Sequence, residues 1–119
     1  MERNDIFQYV KGRYGTEPDY PWLKFPSYAV LRHAGSAKWY AALLTIPKSK
    51  LGLASDAPAD ILNLKCDPLC IGSLLDGERF FPAYHMNREH WVSVLLEGDA
   101  PQEEIFRLIA LSYDLTKAK

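Results

Sequence analysis

Long apolar runs are missing from this 119-residue chain, and so is any marked excess of charge. The longest uncharged apolar stretch, residues 39–46, is far shorter than the roughly 20 residues that a membrane-spanning helix needs. The first ten residues, MERNDIFQYV, lack the apolar segment of a signal peptide, so we expect a cytoplasmic protein with no membrane contact. The formal net charge of −1 argues against a domain that coats nucleic acid through bulk electrostatics.

Cysteine is scarce and histidine is scattered, which disfavours a metal site. Cys66 and Cys70 have C-x3-C spacing and no second pair, so we expect reduced thiols that pack around a short helix. Zinc could draw on these thiols together with His33, His85 and His90. His85 and His90 are five residues apart, which fits neither a helix face nor a strand face, although a turn could bring them together. We therefore expect no bound metal.

Motifs of catalysis are also absent from the sequence. It contains no G-x-S-x-G elbow, no phosphate-binding P-loop and no H-E-x-x-H pair. Glu103 and Glu104 are adjacent carboxylates, but neighbouring helical residues point in different directions, and negative charge at a helix start is favoured by the helix dipole. We expect a protein that is not an enzyme and holds no cofactor.

The length and the 48% apolar content predict one packed domain that spans residues 1–119. Spacing of apolar residues and turn formers predicts three helices and five strands. The helices are expected at residues 4–14, 68–75 and 101–116, and the strands at 28–33, 38–46, 61–65, 83–85 and 91–96, with a loop at 47–58.

Helix ends are predicted from capping residues. Asn4 is the expected N-cap of the first helix and Gly15 its stop. Asp67 precedes a proline and should cap the short middle helix, while Asp99 and Gln102 resemble the capping box of the last helix.

These elements predict an α+β fold with two layers, in which an antiparallel sheet carries the N- and C-terminal helices on one face. In the second strand, alternation places Lys38, Tyr40 and Ala42 on one face of the sheet. The sheet face opposite the helices is expected to be exposed to solvent or available to a partner.

Acidic residues are missing between positions 20 and 55, while five cations fall there, and this third of the chain is locally basic. Aromatic residues are interleaved with these cations, and again with basic residues in the stretch 84–91. Cations neutralise phosphates and aromatic faces stack on bases, so the mixture suits a nucleic-acid surface. The alternative is that Trp39 and Trp91 are core-facing residues of alternating strands, with Lys38 and Arg88 in water.

Several motifs together carry a resemblance to a known family. They are Tyr20-Pro21-Trp22, Lys38-Trp39-Tyr40, Leu64-Lys65-Cys66-Asp67-Pro68, PAYHMNREHW at residues 82–91, and Ser112-Tyr113. Their order resembles the MmcQ/YjbR family, whose members are predicted to bind DNA. The resemblance implies a CyaY-like (frataxin-like) α+β fold and a DNA-binding role. Its best-matched positions are Lys65, Asn87, Arg88, His90 and Trp91. Iron binding by analogy with frataxins is disfavoured because the first helix offers only Glu2 and Asp5 as acids.

We therefore expect a monomer that binds DNA weakly and in a salt-sensitive way through hairpin and turn residues. The candidate binding residues are Arg32, Lys38, Lys48, Lys50, Lys65, Tyr84, His85, Asn87, Arg88 and His90. The alternative is a module that binds a small ligand or a protein, in either case an anionic partner, on the exposed sheet face.

Overall fold

The computed structural model describes residues 1–117. In chain order their elements are α1 (Arg3–Tyr14), β1 (Ala29–Arg32), β2 (Trp39–Pro47), the 3-10 turn Lys48–Leu51, β3 (Pro58–Lys65), α2 (Pro68–Leu74), β4 (Phe80–Pro82), β5 (Trp91–Leu95) and α3 (Gln102–Thr116). Over the described residues, no helix combines the length and the apolar character that crossing a bilayer requires.

The five strands form one antiparallel sheet in the order β1-β2-β3-β5-β4. The predicted hairpin of β1 and β2 is confirmed. The ladder between β2 and β3 runs from the pair Pro47 and Pro58 to the pair Ala41 and Leu64. β3 therefore begins before the predicted position 61, because proline is accepted as the first residue of a strand. Because Pro47 and Pro58 are themselves paired, the loop between β2 and β3 is shorter than the predicted loop 47–58.

One face of the sheet, called the helix face below, is covered by α1 and α3. Ile6 and Val10 from α1 and Ile105 and Ile109 from α3 are buried in a single cluster with strand residues. Leu62 is fully buried in this cluster, and burying such a side chain stabilises the fold by about 1.5–3 kcal/mol. The predicted α+β architecture, with both terminal helices on one face, is confirmed.

The start of α1 differs from the prediction. The backbone N–H of Glu2 donates to the carboxylate of Asp5 at 3.0 Å, so the helix is capped at Glu2. Asn4 lies inside the helix, and its predicted role as N-cap is wrong. The stop at Gly15 is confirmed, because this residue has the left-handed φ of 70° that glycine adopts without strain.

Of the capping predictions for the other two helices, one is confirmed and one is wrong. Asp67 accepts the N–H of Leu69 at 2.9 Å, which confirms it as the cap of α2. The predicted capping box of α3 is wrong: Pro101 is the N-cap, with no side-chain cap bond. Asp99 pairs with Arg79 at 3.0 Å instead.

A β-bulge lies at Tyr40 near the start of β2. Leu31 is paired with Ala41, whereas Arg32 is paired with Trp39, so Tyr40 is an extra residue in the ladder. The extra residue places Tyr40 in the helix-face cluster together with its neighbour Ala41.

The bulge overturns one predicted face. Tyr40 does not share a face with Lys38 and Ala42, because strict alternation is broken at the extra residue. Trp39 lies instead beside Ala42 and Leu44, on the face opposite the helices.

Tyr40 closes a polar and aromatic cluster between the sheet and the two terminal helices. Its hydroxyl donates to Thr16 Oγ1 at 2.7 Å, and its ring meets Tyr14 and Tyr113 edge to face. The rings of Tyr14 and Tyr113 stack with centroids 3.7 Å apart. Burial raises the pKa of Tyr40 to about 12, because the phenolate would lose its hydration.

His33 is buried at the edge of the same cluster. The hydroxyl of Thr116 donates to the carbonyl of Ser112 at 2.8 Å, so it accepts the N–H of His33 Nε2 at 2.7 Å. Burial lowers the pKa of His33 below 6.5, because the charged ring would be desolvated, and Lys117 and Lys38 lower it further. His33 is therefore a satisfied core residue.

The fourth strand lies upstream of the predicted span 83–85. Asp76 accepts backbone N–H groups from Glu78, Arg79 and Phe80 at 2.9, 2.8 and 3.0 Å, and the turn so formed starts β4 at Phe80. The same bonds, that from Phe80 first, lower the pKa of Asp76 to about 2.

The last strand lies close to its predicted span. β5 spans Trp91–Leu95, close to the predicted 91–96, and Val92 and Val94 are buried in the helix-face cluster. Cys66 and Cys70 are free thiols, of which Cys66 is buried and Cys70 is exposed.

Candidate functional site

The sheet face opposite the helices, called the open face below, is only partly exposed. A second apolar cluster covers one end of it, formed by Leu44, Ile46, Ala59, Ile61, Phe81 and Leu95. The predicted exposed face is therefore reduced to the other end, where β2 begins and β3 ends.

A cavity of about 240 Å³, called the aromatic pocket below, occupies the open face over β2. Its lining is rich in aromatic rings and consists of Trp22, Phe25, Tyr28, Trp39, Ala42, Leu44, Tyr84, His85 and Met86. The floor comes from β2, one wall from residues 20–28, and the other wall from residues 83–90. An apolar cavity with aromatic walls is the usual form of a small-molecule or base-binding site.

The wall formed by residues 20–28, called the 20–28 loop, is built from interlocking rings. Trp22 meets Trp39 edge to face, with centroids 5.4 Å apart, and Phe25 stacks on Tyr28 at 4.7 Å. Such aromatic pairs contribute about 0.5–1.5 kcal/mol each beyond the area they bury. The N–H of Phe25 donates to the Trp22 carbonyl at 3.3 Å, and that of Tyr28 to the Phe25 carbonyl at 3.0 Å. The loop is therefore turned back over the sheet by its own backbone.

The wall formed by residues 83–90, called the 83–90 loop, is held by a buried polar pair in the sheet. Asn63 and Ser93 are directly opposite each other in β3 and β5, and both are fully buried. The Asn63 amide donates to the Tyr84 carbonyl at 3.0 Å, and the Tyr84 N–H donates to Ser93 Oγ at 2.9 Å. The Ser93 hydroxyl donates to Asn63 Oδ1. Both polar side chains thus find their partners in the loop and in each other, which removes the penalty of burying them.

Backbone strain follows directly after this anchor. His85 has φ of 58°, a left-handed conformation that is uncommon outside glycine, and its ring lies 4.0 Å from that of Tyr84. Strained residues of this kind persist where the surrounding structure holds them, often at ligand sites. Tyr84 and His85 both line the aromatic pocket.

Asn87 is a turn residue. Its Oδ1 accepts the N–H of Glu89 at 2.8 Å, and its carbonyl accepts the N–H of Trp91 at 2.9 Å. These bonds end the 83–90 loop and start β5. The structure thus gives Asn87 a local backbone role, whereas Arg88 and His90 beside it are exposed.

Four side chains on four neighbouring strands lie at the end of the open face where β2 begins and β3 ends, and they are called the cation–aromatic row below. The register pairs Arg32 with Trp39 and Lys65 with Trp91, on the neighbouring strands β1, β2, β3 and β5. The Arg32 guanidinium lies 5.6 Å from the centroid of the Trp39 ring. Lys65 is two positions from Asn63, and Trp91 is two positions from Ser93. Residues two apart in a strand share a face, so Lys65 and Trp91 point to the open face, as Asn63 and Ser93 do.

The remaining predicted cations divide between the two ends of the sheet. Lys38 lies just before β2 and Arg88 in the 83–90 loop, at the same end as the cation–aromatic row, and both are exposed. Lys48 and Lys50 follow the far end of β2, and Lys48 pairs with Glu97 at 2.6 Å. Of the ten residues proposed from sequence, the structure thus brings eight to one end of the sheet and separates Lys48 and Lys50 from them.

Acidic residues are sparse in the segments that line the pocket. No Asp or Glu lies within two positions in sequence of any residue that lines the aromatic pocket. The nearest acids along the chain are Asp19 and Glu89, each three positions from a lining residue. Asp19 pairs with Arg32 at 3.0 Å. Within residues 1–117, no three His, Cys, Asp or Glu side chains converge as metal ligands do.

Sequence reasoning missed the residues that shape the pocket. Trp22 and Phe25 were not among the candidates, and Tyr28 was considered only as one of the aromatic residues interleaved with cations. Nothing in their spacing shows that their loop folds over the sheet. Asn63 and Ser93 could have been found from the sequence, because each is a polar residue inside an otherwise apolar strand segment. Such a buried polar side chain needs a hydrogen-bond partner, which indicates a specific contact.

Fold and site define a class of small α+β domains: an antiparallel sheet with helices on one face and an aromatic pocket with basic neighbours on the other. The YjbR family model matches residues 12–115, and the chain belongs to this family. The protein YyaQ of Bacillus subtilis (strain 168), described as uncharacterized, is 50% identical over 98% of this chain and 99% of its own length.

Solved structures agree with this assignment. A crystal structure of a Pseudomonas syringae protein superposes with a TM-score of 0.95 at 46% identity, covering 98% of this chain and 100% of that one. The Deinococcus radiodurans protein DR2400 has a TM-score of 0.73 at 23% identity, covering 98% of this chain and 78% of that one, and so shares the fold.

Proposed function

We propose that the domain binds DNA weakly and in a salt-sensitive way, at the end of the sheet that carries the cation–aromatic row. The observation that carries this proposal is the row itself, in which Arg32, Trp39, Lys65 and Trp91 alternate across four strands. Neighbouring strands lie about 4.8 Å apart, so the row spans roughly 15 Å. Cations in such a row can neutralise successive phosphates, while the rings between them offer stacking surfaces.

Exposed cations beside the row supply the strongest phosphate contacts. Arg88 and Lys38 are exposed at this end of the sheet, and no ion pair holds either of them within the described part of the chain. Arg32 already contacts Asp19, but surface pairs of this kind are worth at most about 1 kcal/mol and can be exchanged for a phosphate. The few cations available, in a chain of net charge −1, favour weak binding.

The test is fluorescence anisotropy of labelled single-stranded and duplex DNA over a salt series. Binding is expected to weaken as salt rises, with a slope of about −0.7 to −0.9 per phosphate contact. Arg88→Ala and Lys38→Ala should each flatten that slope by about one unit or less. Arg107→Ala is the matched control, since Arg107 is an exposed arginine on α3, across the sheet from the row.

Two results would contradict the proposal. One is the absence of any binding even at about 50 mM salt, where phosphate contacts are strong. The other is an equal loss in Arg107→Ala and Arg88→Ala, which would mean diffuse attraction and not a site.

A second candidate function is a module for a small anionic ligand. The aromatic pocket favours it, because a cavity of about 240 Å³ with ring walls can hold one small ligand without a polymer. In that case a mononucleotide or another aromatic anion should bind at least as tightly as an oligonucleotide in the same assay.

A further inference from the structure

We infer that the aromatic pocket receives one unpaired base, so that the domain prefers single-stranded DNA to duplex. The inference deepens the proposed function and rests on it, because the phosphates are taken to lie along the cation–aromatic row. Trp39 belongs both to the row and to the pocket floor, so a strand that follows the row passes the pocket mouth.

The size and the lining of the pocket suit a single flat ring system. Pockets for drug-sized ligands usually measure about 300–1,000 Å³, and this cavity measures about 240 Å³. Ring faces and edges meet in it at steep angles: Trp22 is inclined by 85° to Trp39 and by 82° to Tyr28. A flat guest can therefore stack on one ring while its edge contacts another, which is the arrangement that binds bases regardless of sequence.

The surrounding charge selects an anionic guest. Aromatic cages also bind quaternary ammonium groups, but Lys38 and Arg88 lie within two positions of lining residues and have no ion pair in the described part of the chain, so they disfavour a cation. Of the nearest acids, Asp19 is paired with Arg32, and Glu89 lies three positions from the lining. A base attached to a phosphodiester places its uncharged ring among the rings of the pocket and its negative charge beside these cations.

The position of the pocket explains the preference for a single strand. The cavity lies between the 20–28 loop and the 83–90 loop, with β2 beneath it. A base in a duplex is paired and stacked, and extruding it costs a few kcal/mol, whereas an unpaired base is free to enter.

Both walls are positioned before any ligand arrives. The 83–90 loop is held by Asn63 and Ser93, and the 20–28 loop is closed at its base by two hydrogen bonds between Asp19 and Val30, of 3.0 and 2.8 Å. A site that is already formed loses less conformational entropy on binding.

The first experiment compares a short single-stranded oligonucleotide with the corresponding duplex, using wild type, Phe25→Ala and Trp22→Ala. Removing one stacking ring should weaken single-strand binding by about tenfold and leave duplex binding unchanged. Leu23→Ala is the matched control, because Leu23 lies in the same loop, is 98% exposed and does not line the pocket. Phe25 is 49% exposed, so its replacement should leave the fold intact.

The second experiment needs no variant. Uncharged nucleosides are titrated into the wild-type protein, and the indole N–H signals of Trp22, Trp39 and Trp91 are followed by NMR. Signals of Trp22 and Trp39 should shift and saturate, while Trp91, outside the pocket, should shift less. Tetramethylammonium is the competing probe and should produce no such shifts.

The outcomes separate this inference from the proposed function. Salt-sensitive DNA binding that is equal for single strand and duplex, and unchanged in Phe25→Ala, overturns the base pocket and leaves DNA binding intact. Stronger shifts with tetramethylammonium than with nucleosides also overturn it. Nucleoside binding at Trp22 and Trp39 without any oligonucleotide binding overturns the proposed function and supports the small-ligand module.

Discussion

The helix face and the open face of the sheet both contain fully buried side chains, but different interactions stabilise them. On the helix face, Ile6, Leu62 and Ile109 are fully buried among apolar neighbours. On the open face, the buried centre contains Asn63 and Ser93, and each depends on a loop for its hydrogen bonds. The comparison shows that one face is stabilised mainly by packing, while the other uses polar bonds to position the walls of a pocket.

Truncating the helix face should have the largest effect. Leu62→Ala removes a fully buried side chain from the main cluster and leaves a cavity, so we expect a loss of about 2–5 kcal/mol in the free energy of unfolding. Urea denaturation followed by circular dichroism measures it. A loss below about 1 kcal/mol would mean that the helix face is loosely packed and that the contrast between the faces is wrong.

Breaking the polar pair of the open face should cost less stability but disturb the pocket more. Asn63→Leu leaves the Tyr84 carbonyl and the Ser93 hydroxyl without their partner, which costs about 1–3 kcal/mol. We also expect faster amide hydrogen exchange at Tyr84, measured by NMR, because the anchor of the 83–90 loop is weakened. Leu62→Ala should not change that exchange selectively.

A double variant sharpens this test. If Asn63 and Ser93 act together, the losses in Asn63→Leu and Ser93→Ala should not add in the combined variant. Additive losses would show that the two residues stabilise the loop independently.

The smallest expected effect is a pH dependence that arises at the edge of the helix face. The pKa of His33 is lower in the folded protein than its usual 6.5, so the unfolded chain binds a proton at a higher pH. The stabilisation is complete above pH 6.5 and is lost as the pH falls through the folded pKa. Urea midpoints between about pH 7 and 5 should therefore decline in wild type.

His33→Gln provides the control for that decline. Glutamine can still donate to Thr116 Oγ1 but does not titrate, so the midpoint should change less between the same two pH values. An equal decline in the variant would assign the effect to groups other than His33.

The elements that were predictable from sequence are those whose signal is local. Periodic apolar residues identified α3, Asp67 identified the start of α2, and Gly15 identified the end of α1. Each depends on contacts within a few residues, so the chain itself carries the information.

The features that were missed depend on contacts between distant segments. β4 was placed too late because the Tyr84 N–H, which looks available for a ladder, donates to Ser93 Oγ, nine residues away. The 20–28 loop was predicted only as an extended connection, since its fold over the sheet depends on Trp39 and on the bridge to Val30. The basic residues were predictable, but their division between two ends of the sheet required the register.

The bulge at Tyr40 determines the positions of two aromatic residues at once. With the extra residue in β2, the Tyr40 ring lies in the interior, where its hydroxyl donates to Thr16, and Trp39 lies at the pocket floor. If β2 kept both residues but lost the bulge, strict alternation from Ala41 would turn Tyr40 to the open face and Trp39 to the helix face. The interior position of Tyr40 and the pocket position of Trp39 therefore depend on the same irregularity in β2.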